Sequence, residues 1–160
     1  MRSSTMKFDS IEQELYLNLW RTYDRLRILE DSLFDQFDIS SQQYNVLRLL
    51  GAAFPEAIPT LTVAGRLISR APDITRLLDR LEKKGLLERI RKGDDRRQVH
   101  VRITDDGKKL LKKIQKPLEE CHHSQLGHLS NQKIKQLCSL LRDARAPHEP
   151  EQSPWLEEST

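Results

Sequence analysis

At Gly85 the hydrophobic period of the chain changes from helical to alternating, and that switch constrains the fold more than any other feature. Upstream, Ile74, Leu77, Leu78 and Leu81 recur at helical spacing and form one apolar stripe. Pro72 suits the first helical position, because its ring fixes φ and its missing N–H would have had no intrahelical partner; Asp73 beside it complements the positive end of the helix dipole. Gly85 supplies the stop after Lys83 and Lys84, where a residue free to adopt φ > 0 closes a helix. The opposite face of this short helix carries Asp73, Thr75, Arg76, Asp79, Arg80 and Lys83.

Downstream, Leu86 to Ile90 and Val99 to Ile103 read as two strands, the second alternating Val99, Val101 and Ile103 against His100 and Arg102. Residues 91 to 98, Arg-Lys-Gly-Asp-Asp-Arg-Arg-Gln, join them as a polar hairpin tip with Gly and Asp as turn formers. Between Arg70 and Arg102 stand eleven Lys or Arg and six Asp or Glu, against 27 and 24 in the whole chain. That segment nets +5 and the remainder −2, so the modest overall charge of +3 conceals a local basic footprint.

A short amphipathic helix offering Thr and Arg near its N-terminus is shaped to enter a major groove, and an arginine-bearing hairpin tip suits the narrow, negative minor groove beside it. The expected fold is therefore mainly α with a small two- to three-stranded β-wing, a winged helix-turn-helix, and the expected partner is double-stranded DNA. The candidate contacts are Ser69, Arg70, Asp73, Thr75, Arg76 and Arg80 on the helix and the turn before it, with Lys92, Asp95, Arg96 and Arg97 at the tip. Arg70 and Lys92 suit phosphate contacts, since half or more of such bonds go to the backbone. Asp95, a carboxylate that phosphate would repel, is expected to hold Arg97 in one rotamer by a charge-assisted bond. Basic residues on a helix face are usually plain solvated surface. Here the charge is segregated onto a helix and a wing, which favours DNA over the competing reading, a helical interaction protein whose basic wing meets an acidic protein or RNA.

The rest of the chain reads as helices. Residues 10 to 37 form a long one, opened by Ser10 with Gln13 three residues on, a capping-box pattern. Its apolar residues, among them Ile11, Leu15, Leu19, Trp20, Tyr23, Leu26, Leu29 and Leu33, exceed what one contact face requires. A second helix starts at Ser40 or Ser41 and breaks near Gly51 to Pro55, and Phe54 to Pro59 reads as a turn-rich connector. Thr60 to Ile68 forms the first helix of the helix-turn-helix, with Leu61, Val63, Ala64 and Leu67 expected inward and Ser69 to Ala71 as the turn. Thr104 caps a helix that Pro117 is expected to kink without ending, Ser130 caps the last helix, and residues 146 to 160 read as a disordered tail in which Trp155 and Leu156 could still dock.

The run from Thr75 to Thr104 resembles the signature of the MarR family of bacterial transcription regulators. The match lies in Leu81-Glu82-Lys83-Lys84-Gly85-Leu86, in Asp95-Arg96-Arg97 and in Thr104-Asp105-Asp106-Gly107, with the spacing between them kept. The resemblance spans roughly residues 10 to 145. It implies major-groove positions for Thr75 and Arg76, the minor-groove wing arginine at Arg97, and its orienting carboxylate at Asp95. It also implies a homodimer built from residues 10–37 and 105–145 around DNA-binding lobes at 40–104, an inverted-repeat operator, repression, and release by a small aromatic or phenolic effector bound between the dimer helices and the lobe.

Several functions are disfavoured. On one continuous helix Cys121 and His128 stand two turns apart, and His122 and His123 diverge from each other, so a closed metal site would need ligands from elsewhere. The two cysteines, Cys121 and Cys138, make no disulfide framework and fit apolar stripes as buried thiols, as expected in a reducing cytoplasm. No nucleophile, base and orienter set appears, so neither catalysis nor a cofactor is expected. No apolar run is long enough to span a bilayer, and Met1 to Phe8 lacks the character of a secretory signal.

Overall fold

Five side-chain caps set the frame. In the computed structural model, which describes residues 7–71, 73–91 and 98–156, Ser10, Ser40, Asp73, Thr104 and Ser130 each accept a hydrogen bond from the backbone N–H three residues on, at 2.9–3.3 Å. These caps open α1 (Ile11–Asp35), α2 (Ser41–Ala53), α4 (Ile74–Lys83), α5 (Asp105–Leu126) and α6 (Asn131–Arg145), and each contributes about 1 kcal/mol. Ser40 completes the reciprocal capping box with Gln43. At Ser10 the box is displaced by one residue, because the Gln13 side chain accepts from Asp9 N–H instead. Asp73 proves to be the N-cap of α4 and not a residue of its first turn, and Pro72 lies outside the described residues.

The short helix α3 (Thr60–Arg66) precedes α4, and the strands β1 (Ile58–Pro59), β2 (Leu87–Arg91) and β3 (Val99–Ile103) form an antiparallel sheet in the order β1-β3-β2. Leu87 pairs with Ile103, Arg89 with Val101 and Arg91 with Val99, as the alternation of β3 demands. The first strand lies where a turn-rich connector was expected. Two residues are too few to show a period, and Pro59 is tolerated there because β1 is an edge strand. Gly85 closes α4 at φ +69°, with Leu86 N–H bonded to Leu81 O and Gly85 N–H to Glu82 O, a Schellman motif. The helix α5 runs through Pro117 without interruption.

Two cores result. Val46, Leu47, Leu50, Val63, Leu78, Leu81, Leu87, Val101 and Ile103 fill the lobe between α2, α3, α4 and the sheet. Leu33, Phe34, Ile39, Ile114 and Leu118 fill the junction of α1 with α5, where Phe34 stacks on Tyr44 at 4.9 Å. Leu86 and Leu110 touch both and join them. Leu61, expected inward, is 84% exposed. At 100° per residue it stands about 200° from Val63 on α3, so the two cannot share an inward face.

The tail is also corrected. Residues 146–148 form a 3₁₀ turn, Arg145 pairs with Glu149 at 3.0 Å and lies over the Trp155 ring at 5.4 Å, and the buried Ser153 hydroxyl donates to Glu149 at 2.6 Å. The prolines that suggested disorder restrict the turns here, and the arginine gives them an anchor; residues 157–160 lie outside the described residues. Among the described residues no helix is long and apolar enough to cross a membrane.

Gly65 lies inside α3 with open space where a Cβ would stand. Gly65→Ala should therefore stabilise the fold by about 0.5–1 kcal/mol through helix propensity, read as a rise of roughly 1–4 °C in a circular-dichroism melt.

Candidate nucleic-acid interface

The apolar stripe of α4 does what its spacing predicts: Leu77, Leu78 and Leu81 are buried. The helix is thereby fixed in rotation, and Thr75, Arg76, Arg80 and Lys83 stand on its exposed side. Arg76 projects with 72% of its side chain exposed, steadied by Asp73 at 3.5 Å. Asp73 thus serves two purposes, capping the helix at the Arg76 N–H and orienting the Arg76 guanidinium. Ser69 and Arg70 are exposed in the turn between α3 and α4. Lys92, Asp95, Arg96 and Arg97, the expected wing-tip contacts, lie outside the described residues.

The basic footprint is smaller than counting suggested, because several of its cations are engaged. Arg89 of β2 spans two carboxylates of α4, Asp79 at 2.5 Å and Glu82. Arg102 of β3 bonds its cross-strand partner Glu88 at 2.8 and 3.0 Å. Lys84, just past α4, reaches the carboxylate of Asp38 at 2.9 Å and also its backbone carbonyl. Arg70, Arg80, Lys83 and Arg91 make no ion pair with a described residue, and they form the free positive surface around α4 and the wing base.

Arg89 was the residue that counting concealed. Burial alone would pull its pKa down, but hydrogen bonds to Asp79 and Glu82 and the charges of both outweigh that and hold it above the ordinary guanidinium value. It stays cationic and ties α4 to β2 at the base of the wing. The signal was present in the sequence: Asp79 and Glu82 are three apart on α4 and therefore adjacent on its surface, and Arg89 sits two residues into the strand that follows. Lys84 makes the corresponding tie on the other side, from the end of α4 to the left-handed Asp38 (φ 53°) between α1 and α2.

No group of three or more potential metal ligands converges among the described residues. Burial, with the Glu30 charge adding to it, raises the Cys121 thiol pKa, so it is a poor candidate for a reactive thiolate. Cys138, expected to be buried, is exposed.

Comparison with known proteins settles the family. The profile described as Transcriptional regulator SarA/Rot matches residues 29–114. The crystal structure of a MarR transcription factor from Planctomyces limnophilus is 52% identical, with a TM-score of 0.68 over 84% of this chain and 98% of that one. The chain belongs to the MarR family of transcriptional regulators. Among its relatives, the HTH-type transcriptional regulator FarR of Neisseria gonorrhoeae is 30% identical over 69% of this chain and 75% of its own length. The S. aureus MepR–DNA complex superposes with a TM-score of 0.73 at 25% identity, covering 82% of this chain and 97% of that one. A MarR-family chain is a transcriptional regulator and not an enzyme.

Proposed function

We propose that this MarR-family chain represses transcription as a homodimer, placing one α4 in the major groove of each half of an inverted repeat. The observation that carries the reading is the Arg89 clamp. It locks the α4 face bearing Thr75, Arg76, Arg80 and Lys83 to the wing strands, so helix and hairpin can address adjacent grooves without a separate ordering step. Arg70 then meets phosphate from the preceding turn, and Lys92, Arg96 and Arg97, with Asp95 orienting Arg97, extend the contact into the minor groove. Fluorescence anisotropy across a salt series tests it, comparing the duplex upstream of the chain's own gene with a scrambled one. A native preference with a steep salt slope at two chains per site supports the reading. Equal, weak binding to both duplexes would count against it.

The dimer rests on α1 and α6. Ile11, Leu15, Tyr16, Trp20 and Tyr23 are 55–76% exposed along α1, and Leu137 and Leu140 of α6 are 42% and 57% exposed. An apolar surface of that extent is rarely left to water. Trp20→Glu should shift the protein toward monomer in sedimentation velocity and weaken operator binding with it; an unchanged dimer would rule out this face.

An effector site fits between α2 and α5. A cleft of about 550 Å³ there has Tyr44, Leu111 and Leu118 on its apolar side, with Arg48, Lys108 and Lys112 as cationic groups and Glu119 as a single carboxylate. Burial raises the pKa of the Tyr44 phenol, so it remains a donor. That combination suits an aromatic or phenolic acid. Such a ligand would weaken DNA binding by its preference for a spacing of the two α4 helices that the operator does not match.

A further inference from the structure

Asp79 is the anomaly of the exposed α4 surface. A carboxylate there faces the polyanion that the surrounding residues attract, with Arg76 one turn before it and Lys83 one turn after. Its side chain is 47% exposed, and among the described residues its hydrogen-bond partner is Arg89, whose Nη2 donates to Oδ1 at 2.5 Å. The Arg89 side chain, carried by β2, is 25% exposed and offsets the charge of Asp79, and its bond goes to one carboxylate oxygen of a side chain that remains about half exposed. A carboxylate fixed in position, charge-compensated and open on one side is equipped to accept a hydrogen bond.

We propose that Asp79 is a specificity-determining residue that accepts a hydrogen bond from the exocyclic N4 amino group of one cytosine in each half-site. The proposal rests on α4 entering the major groove, as inferred above. Two bases offer an amino donor in that groove, cytosine at N4 and adenine at N6. Adenine also presents its N7 acceptor beside N6, and an acceptor-only carboxylate is repelled by it; cytosine presents no such acceptor. An amide at the same position has both a donor and an acceptor and matches the N6/N7 edge of adenine. Base preference, and not affinity alone, therefore separates this role from a purely structural ion pair with Arg89.

The test is selection of bound duplexes from a randomised library with the full-length wild-type chain and with Asp79→Asn, followed by competition with the enriched sites. The expected result is a fixed cytosine at one position of each wild-type half-site, replaced by adenine for Asp79→Asn with the rest of the motif kept. The cytosine-to-adenine preference there should change about tenfold or more. Asp79→Ala should relax base preference at that position alone, beside an even loss of affinity across sequences from removing half of the Arg89 clamp. If Asp79→Asn keeps the wild-type motif and merely loses affinity evenly across sequences, Asp79 only braces the wing and the proposal is overturned while the major-groove reading stands. If the wild-type chain enriches no motif, the major-groove reading itself fails and the proposal with it.

Discussion

Arg76→Ala should reduce operator affinity by about 2 kcal/mol per half-site, or on the order of a thousandfold for a dimer that uses both. The side chain is 72% exposed at the start of α4 and preset by Asp73 at 3.5 Å, so little rotamer freedom is lost when its guanidinium reaches a base edge. Its removal deletes no buried contact. Alanine is the better helix former, and the melting temperature should hold or rise slightly. Arg76→Lys keeps the charge without the planar fork, so it should recover nonspecific binding and the salt slope while leaving discrimination between native and scrambled duplex impaired. Anisotropy titrations of the three proteins on both duplexes check the prediction. Arg76→Ala binding at wild-type strength would remove this residue from the reading surface.

Gly107→Ala should be the most damaging single-methyl change in the chain, costing about 3 kcal/mol and lowering the melting temperature by roughly 6–12 °C. A Cβ at Gly107 would collide with the carbonyl oxygen of Leu86 and stand 2.6 Å from Ile103 Cγ1. That carbonyl accepts the Thr104 N–H at 3.1 Å, and the Thr104 hydroxyl accepts from Gly107 N–H at 3.1 Å and donates to Gly85 O at 2.6 Å. The exit of α4, the end of β3 and the start of α5 therefore meet at one point, and backbone fills the space a side chain would need. This explains physically the Thr-x-x-Gly step that follows the wing. A thermal melt of Gly107→Ala beside Gly65→Ala makes the comparison internal, since the two substitutions add the same atom and should move stability in opposite directions.

What the sequence revealed and what it hid follow from the range of the interactions. The helices, their caps at Ser40, Thr104 and Ser130, and the register of β3 depend on neighbours within one turn or one strand, and their spacing is visible. The inward stripe of α4 was legible for the same reason, and with it the exposed position of Thr75, Arg76 and Arg80. Pairings across the fold were not legible. Lys84 meets Asp38 46 positions away in sequence, and Arg102 meets Glu88 only once the strands pair. A residue count therefore credited Lys84, Arg89 and Arg102 to a DNA footprint when the fold employs them as ties. Leu61 was misplaced because its helix is seven residues long, too short for a period to outvote one hydrophobic residue. The tail was misread because proline content reports the loss of helix and sheet, whereas its order comes from Arg145, a residue of the preceding helix.

The measurement that bears most directly on the central claim is a dimethyl-sulfate footprint of the operator-bound protein, which reads guanine N7 in the major groove. The expected pattern is two protected clusters related by a two-fold axis, with centres one helical turn apart or a multiple of it, about 10–10.5 base pairs per turn, and lost in Arg76→Ala. Duplex bound at the same concentration with every guanine N7 still reactive would contradict a recognition helix seated in the major groove.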